Sequence, residues 1–206
     1  MKTISRKVKI SLGRYLTALA LLALAIPVFS IAADDLVPKK VQEMAVAYAS
    51  STNLVKAVFI MDGENVKKLD SCSGTRVVHE GMFTDTHNAE FPGASADQSV
   101  VSLRPTFFIL SNDSPKGRLN LVKVEVGKNN RTLYIGTVSA THTFHPMLDP
   151  NSVIEFAAEE VQPMIWKLTS KKDLDVGEYG LYYMSNAAGR ESTDAGSLYG
   201  FSIIKK

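Results

Sequence analysis

Two aromatic-rich stretches near the C-terminus constrain the fold of this chain more tightly than any other part of it. Residues 179–184 read Tyr-Gly-Leu-Tyr-Tyr-Met, and residues 198–204 read Leu-Tyr-Gly-Phe-Ser-Ile-Ile. Successive side chains of a strand point to opposite faces. Tyr179, Leu181 and Tyr183 therefore share one face of the first stretch, and Tyr199, Phe201 and Ile203 one face of the second. A polar loop joins them, so the pair is expected to form a closing antiparallel hairpin. Two apolar faces of this size need a further sheet to cover them, which points to layered β structure.

The lead-in to this hairpin, Leu-x-x-Gly-x-Tyr at 174–179, resembles the tyrosine corner of immunoglobulin-like sandwiches. There a tyrosine at the start of the penultimate strand bonds back to upstream backbone. The resemblance implies structural roles for Tyr179, with its ring in the core and its hydroxyl on the backbone of residues 173–176, and for Gly177 at the turn. Val176 stands where many such corners carry proline, a departure from the pattern.

The N-terminus has a different character. Lys2, Arg6, Lys7, Lys9 and Arg14 precede an apolar run at 15–26, followed by Pro27 and small residues. This is the three-part pattern of a secretory signal peptide. Ser30 and Ala32 sit three and one residues before the bond joining Ala32 to Ala33, so residues 1–32 are expected to be removed, with cleavage after Ala33 as the alternative. The run is short for a membrane span of about 20 residues, and no later segment has the length or apolarity of one.

Cleavage would take 5 of the 23 Lys and Arg and none of the 21 Asp and Glu, leaving 18 against 21 and a net charge of −3. Basic character thus belongs to the leader. With no Lys/Arg patch interleaved with aromatics, nucleic acid is not an expected partner. About 174 residues are left, enough for one domain with its own core. Cys72 is the single cysteine, so no internal disulfide forms, and it reads as a buried or idle thiol.

Residues 33–53 are rich in Lys, Gln, Glu, Met and Ala, with Val41, Met44, Ala45 and Tyr48 at helical spacing after Pro38. They are expected to form a short amphipathic helix or an N-terminal arm. The β-sandwich domain then runs from 54 to 206. Val55, Ala57, Phe59 and Met61 alternate up to an Asp62-Gly63 turn, with a return at 66–69. Residues 71–97 carry many Gly, Ser, Thr, Asn and Asp and read as a long loop with a brief strand at Val77 and Val78. A strand at 99–110 is interrupted by Pro105, which belongs at an edge or bulge. Residues 119–126 and 131–136 read as a hairpin, 137–151 as a second long connection, and 153–157 and 164–169 as strands with Met164, Trp166 and Leu168 facing inward. The expected fold is an all-β, immunoglobulin-like antiparallel sandwich of about eight or nine strands. Its loops at 71–97, 127–130 and 185–197 would share one end and form an interaction surface.

Chemistry is sparse. His142 and His145, in Thr-His-Thr-Phe-His-Pro, form with Asp149 the nearest approach to a metal-ligand cluster. No Gly-x-Ser-x-Gly elbow, phosphate-binding glycine loop, His-Glu-x-x-His or paired-cysteine knuckle occurs. No catalytic residue and no cofactor is assigned. The Asp-Gly strand end at 62–63, Pro-Thr-Phe-Phe at 105–108, Leu-Val-Lys-Val at 121–124, Arg-Thr-Leu-Tyr-Ile-Gly at 131–136 and the closing Gly-Glu-Tyr and Tyr-Gly-Phe together span 54–205. That pattern resembles uncharacterised exported bacterial β-sandwich proteins, which implies the fold and export and carries no activity. The function expected is an exported, periplasmic, non-catalytic binding or cell-envelope module whose partner is an envelope or extracellular protein or ligand. The alternatives are a small-ligand or metal-binding periplasmic protein using His142 and His145, and a hydrolase whose residues meet only in space.

Overall fold

A computed structural model describes residues 37–48, 55–139, 143–184 and 194–205. The chain divides between Asp35 and Leu36 into two units, and every described residue lies in the second. The leader and Ala32 and Ala33 lie outside the described residues, as does His142. Within 33–53 the helix α1 spans Lys39–Tyr48, entered through Pro38, whose carbonyl accepts from the amides of Val41 and Gln42. It is not long and apolar enough to cross a membrane.

The rest is antiparallel β structure in two sheets. The smaller runs in the order β12 (Phe156–Gln162), β13 (Ile165–Ser170), β6 (Thr106–Ser111), β1 (Val55–Asp62), β2 (Asn65–Leu69). The expected β1–β2 hairpin turns at Gly63, with φ of 63°. Both faces of this sheet are covered. Val58, Ile60, Phe107, Ile109 and Leu168 face the other sheet, while Ala57, Phe59, Phe108 and Leu110 pack under Val37 and Val41 of the helix segment. Double coverage explains why residues 107–110 form an unbroken apolar run instead of alternating. Each such side chain, fully buried, contributes about 1.5–3 kcal/mol.

The larger sheet runs β10 (Phe144–Pro146), β9 (Asn130–Val138), β4 (Asp85–Pro92), β3 (Ser71–His79), β15 (Asp194–Ile203), β14 (Gly177–Tyr183), β7 (Leu119–Lys123), β11 (Val153–Ile154). β5 (Ser99–Val100) adds the one parallel pairing among the described residues, to β15. β8 (Glu125–Val126) continues the line of β7 and bonds to β9, so the run from β9 round to β7 closes on itself. The β14 and β15 faces fall as their alternation requires. Tyr179, Leu181, Phe201 and Ile203 join the core between the sheets. Tyr182 and Leu198 join a second core, with Ala89, Phe91, Val122, Leu133 and Ile135, on the concave side of the larger sheet.

The all-β sandwich is thus present, with fifteen strand segments among the described residues in place of eight or nine. Four features account for the difference, the first being β10, which forms within the expected connection at 137–151 and pairs with β9. The 71–97 region is a pair of long strands, β3 and β4, joined in register from Thr75 opposite Glu90 to His79 opposite Thr86. Most of it is therefore strand, with loop after β4 at 93–97; of the expected loop at 185–197, residues 194–197 belong to β15 and 185–193 lie outside the described residues. The 119–136 hairpin is paired only at its tip, because its arms part to join β14 and β4. Residues 99–110 and 153–162 are each split between sheets, at 101–105 with Pro105 in the crossover and at Glu155. Met164 does not face inward with the strand; it takes φ of 68° in the β12–β13 turn.

Candidate functional site

Tyr179 is 2 % exposed and stacks on Phe201, with ring centroids 5.7 Å apart. Its hydroxyl donates to the Asp175 carbonyl at 3.0 Å, the local geometry of a tyrosine corner. Burial, reinforced by the Asp175 charge, raises the hydroxyl pKa and keeps it a donor. Gly177 opens β14 with φ of 158°, at the edge of the range L-residues rarely adopt, and a Cβ there would have ordinary clearance. A polar cleft of about 240 Å³ lies here, with Lys123 Nζ 6.0 Å from the Tyr179 ring centre.

His145 is exposed on β10, opposite Thr137. Asp149 is engaged locally, accepting from the Asn151 amide at 2.9 Å and its side-chain nitrogen at 3.1 Å. Among the described residues no group of three or more His, Cys, Asp or Glu could hold a metal ion. A cleft of about 360 Å³ lies nearby, between Asn120 and Val153 on one side and Pro146 to Leu148 on the other. Its one charged side chain, Arg118, is half-exposed and paired with Asp113 at 3.6 Å.

The most developed chemistry is at the opposite end of the ring. There a pocket of about 200 Å³ is bounded by Cys72 of β3, Arg131 of β9, Gly200 of β15 and the loop after β4. Arg131 is in phase with Leu133 and Ile135, so the strand that buries those two carries its guanidinium inward as well, leaving it 4 % exposed. Nε donates to the Gly93 carbonyl at 3.2 Å and Nη2 to the Pro92 carbonyl at 3.2 Å, with the Cys72 sulfur 3.8 Å from Nη2. Nη1 is buried with no hydrogen-bond partner. A Cβ on Gly200 would lie 2.3 Å from it, so a side chain there would press on the end of the guanidinium.

The pocket wall is fixed. The Ala96 amide donates to Glu178 Oε2 at 2.8 Å, Ser202 Oγ holds the other carboxylate oxygen, and the Ser202 amide donates to Gln98 O at 2.8 Å. The Gly93 amide reaches Asn129 O at 3.0 Å. Cys72 is half-buried, and burial pushes its thiol pKa up against the opposing pull of Arg131. A thiol so held stays protonated at neutral pH and is a poor nucleophile. Alkylation of Cys72 should consequently reach its half-maximal rate at a pH above the ordinary cysteine value of about 8.5. A pH–rate profile with its midpoint at or below that value would contradict this environment.

No family model, no curated protein and no solved structure matches this chain. Arg131 opens the Arg-Thr-Leu-Tyr-Ile-Gly strand pattern at 131–136, but no chemical motif contains it. Its signal was a charged residue at the start of a strand, in step with two apolar ones.

Proposed function

We propose that this chain is an exported, periplasmic, non-catalytic binding module that takes a small ligand in the Cys72–Arg131 pocket. The observation that carries the reading is a buried cation on the wall of an open pocket whose residues are held by strands and a bonded loop. Sites of that construction are pre-organised for recognition. A protonated, half-buried thiol as the sole cysteine favours binding over covalent chemistry. Export is supported by the basic start, the apolar run at 15–26 and the small residues before Ala33.

Native mass spectrometry of protein secreted by a bacterial host tests both parts. The expected spectrum shows an N-terminus at Ala33 or Asp34 and a small additional mass that leaves on denaturation. Retention of Met1 in the exported protein would refute export. If no added mass appears even after incubation with envelope small molecules, the binding reading falls.

A further inference from the structure

Resting on that reading of the pocket, we propose that its ligand is a small organic carboxylate bearing a single negative charge, with Arg131 as its counter-charge and Asp97 as the group that discourages a second negative charge. A guanidinium taken out of water is tolerated when its charge is compensated. Here the compensation is partial: two backbone carbonyls and a thiol contact two of the three nitrogens, and Nη1 has no partner. The ion pairs among the described residues join other groups, and none includes Arg131. Glu178, a carboxylate tied to the pocket wall, has both oxygens engaged by Ala96 and Ser202, and Asp70, which lines the pocket, is paired with Lys68. An anionic oxygen is what the orphaned Nη1 lacks, and a planar guanidinium matches a carboxylate in shape and charge.

The rest of the pocket narrows the class. Its volume, about 200 Å³, is below the range of about 300–1,000 Å³ usual for drug-sized ligands, so the ligand has only a few heavy atoms. Asp97 lines the same space, is exposed, and its charge is felt at Cys72, where it opposes thiol ionisation. A dianion such as phosphate would meet Asp97 as it approached Arg131, whereas a monocarboxylate need not. A ligand with an ammonium group beside its carboxylate would gain from both.

Cys72 reports occupancy directly, because it is the only thiol and lines the pocket. The experiment measures alkylation of the purified protein by neutral iodoacetamide with acetate, glycine, sulfate, phosphate or chloride at matched ionic strength. Acetate and glycine are expected to protect, slowing the reaction roughly tenfold at ten times their Kd, while chloride does not and sulfate and phosphate protect less. Arg131→Gln, with its fold checked by circular dichroism, should lose the protection. Asp97→Asn, a change at an exposed residue, should strengthen protection by sulfate and phosphate. Failure of both carboxylates to protect, or equal protection in Arg131→Gln, overturns the proposal, and sulfate protecting better than acetate overturns the carboxylate assignment. If envelope small molecules protect Cys72 and carboxylates do not, the pocket reading stands and this inference alone fails; if neither protects, both fall.

Discussion

Replacing Tyr179 by alanine should lower stability by about 3–5 kcal/mol, the range for deleting a large aromatic ring from a packed core. The ring is 2 % exposed, stacks on Phe201 at 5.7 Å and belongs to the cluster that joins the two sheets. The cavity would open where β14 and β15 face β6, since Phe201 also meets the Phe107 ring at 5.2 Å. For a domain of this size each kcal/mol moves Tm by roughly 2–4 °C, so a fall of about 6–20 °C is expected in a thermal melt. Tyr179→Phe keeps the ring and removes only the bond to Asp175 O. Its cost, a lost hydrogen bond plus an orphaned carbonyl, is about 1–3 kcal/mol. A Tyr179→Phe protein that melts with the parent would reduce Tyr179 to a packing residue, and a Tyr179→Ala protein that did so would contradict its place in the core.

The same two strands show what a sequence makes legible. β14 and β15 carry large apolar residues on both faces, so their alternation announces both the hairpin and the direction in which Tyr179 and Phe201 point. β3 carries no such signal. Its inward residues are Cys72, Gly74 and Arg76, and Gly74 is small because the Phe91 ring lies over it, 2.7 Å from where a Cβ would stand. A strand that yields its space to a neighbour's ring looks like a loop in its own sequence. β11 and β12 posed a different difficulty, because the period-two pattern continues across Glu155 while the hydrogen bonds change from one sheet to the other. The pocket was the least legible element. Arg131 acquires meaning only beside Pro92, Gly93, Cys72 and Gly200, which lie 38 to 69 positions away and are brought together by the curl of the larger sheet.

Gly136→Ala should be among the most damaging substitutions that add a single methyl group. Gly136 has φ of 145°, where L-residues are rarely found; holding a non-glycine there costs about 1–3 kcal/mol. The new Cβ would also lie 2.3 Å from the His145 carbonyl oxygen and 3.0 Å from the Phe144 ring. A backbone oxygen cannot swing aside as a side chain can, so β10 would have to separate from β9, adding about 1–3 kcal/mol of packing strain. The total, about 2–6 kcal/mol, corresponds to a Tm lower by roughly 4–24 °C. Phe144 would move with β10, away from the Arg76 guanidinium 4.7 Å from its ring centre and the buried His87 ring at 5.4 Å. Amide exchange should accelerate at Thr137 and His145, which face each other across the two strands. Gly63→Ala separates the two causes, because Gly63 also has positive φ but no atom within 4 Å of the added carbon. It should cost only the left-handed penalty, about 1–2 kcal/mol. Equal losses at the two positions would mean that backbone conformation alone sets the cost and that β10 does not press on β9 at Gly136.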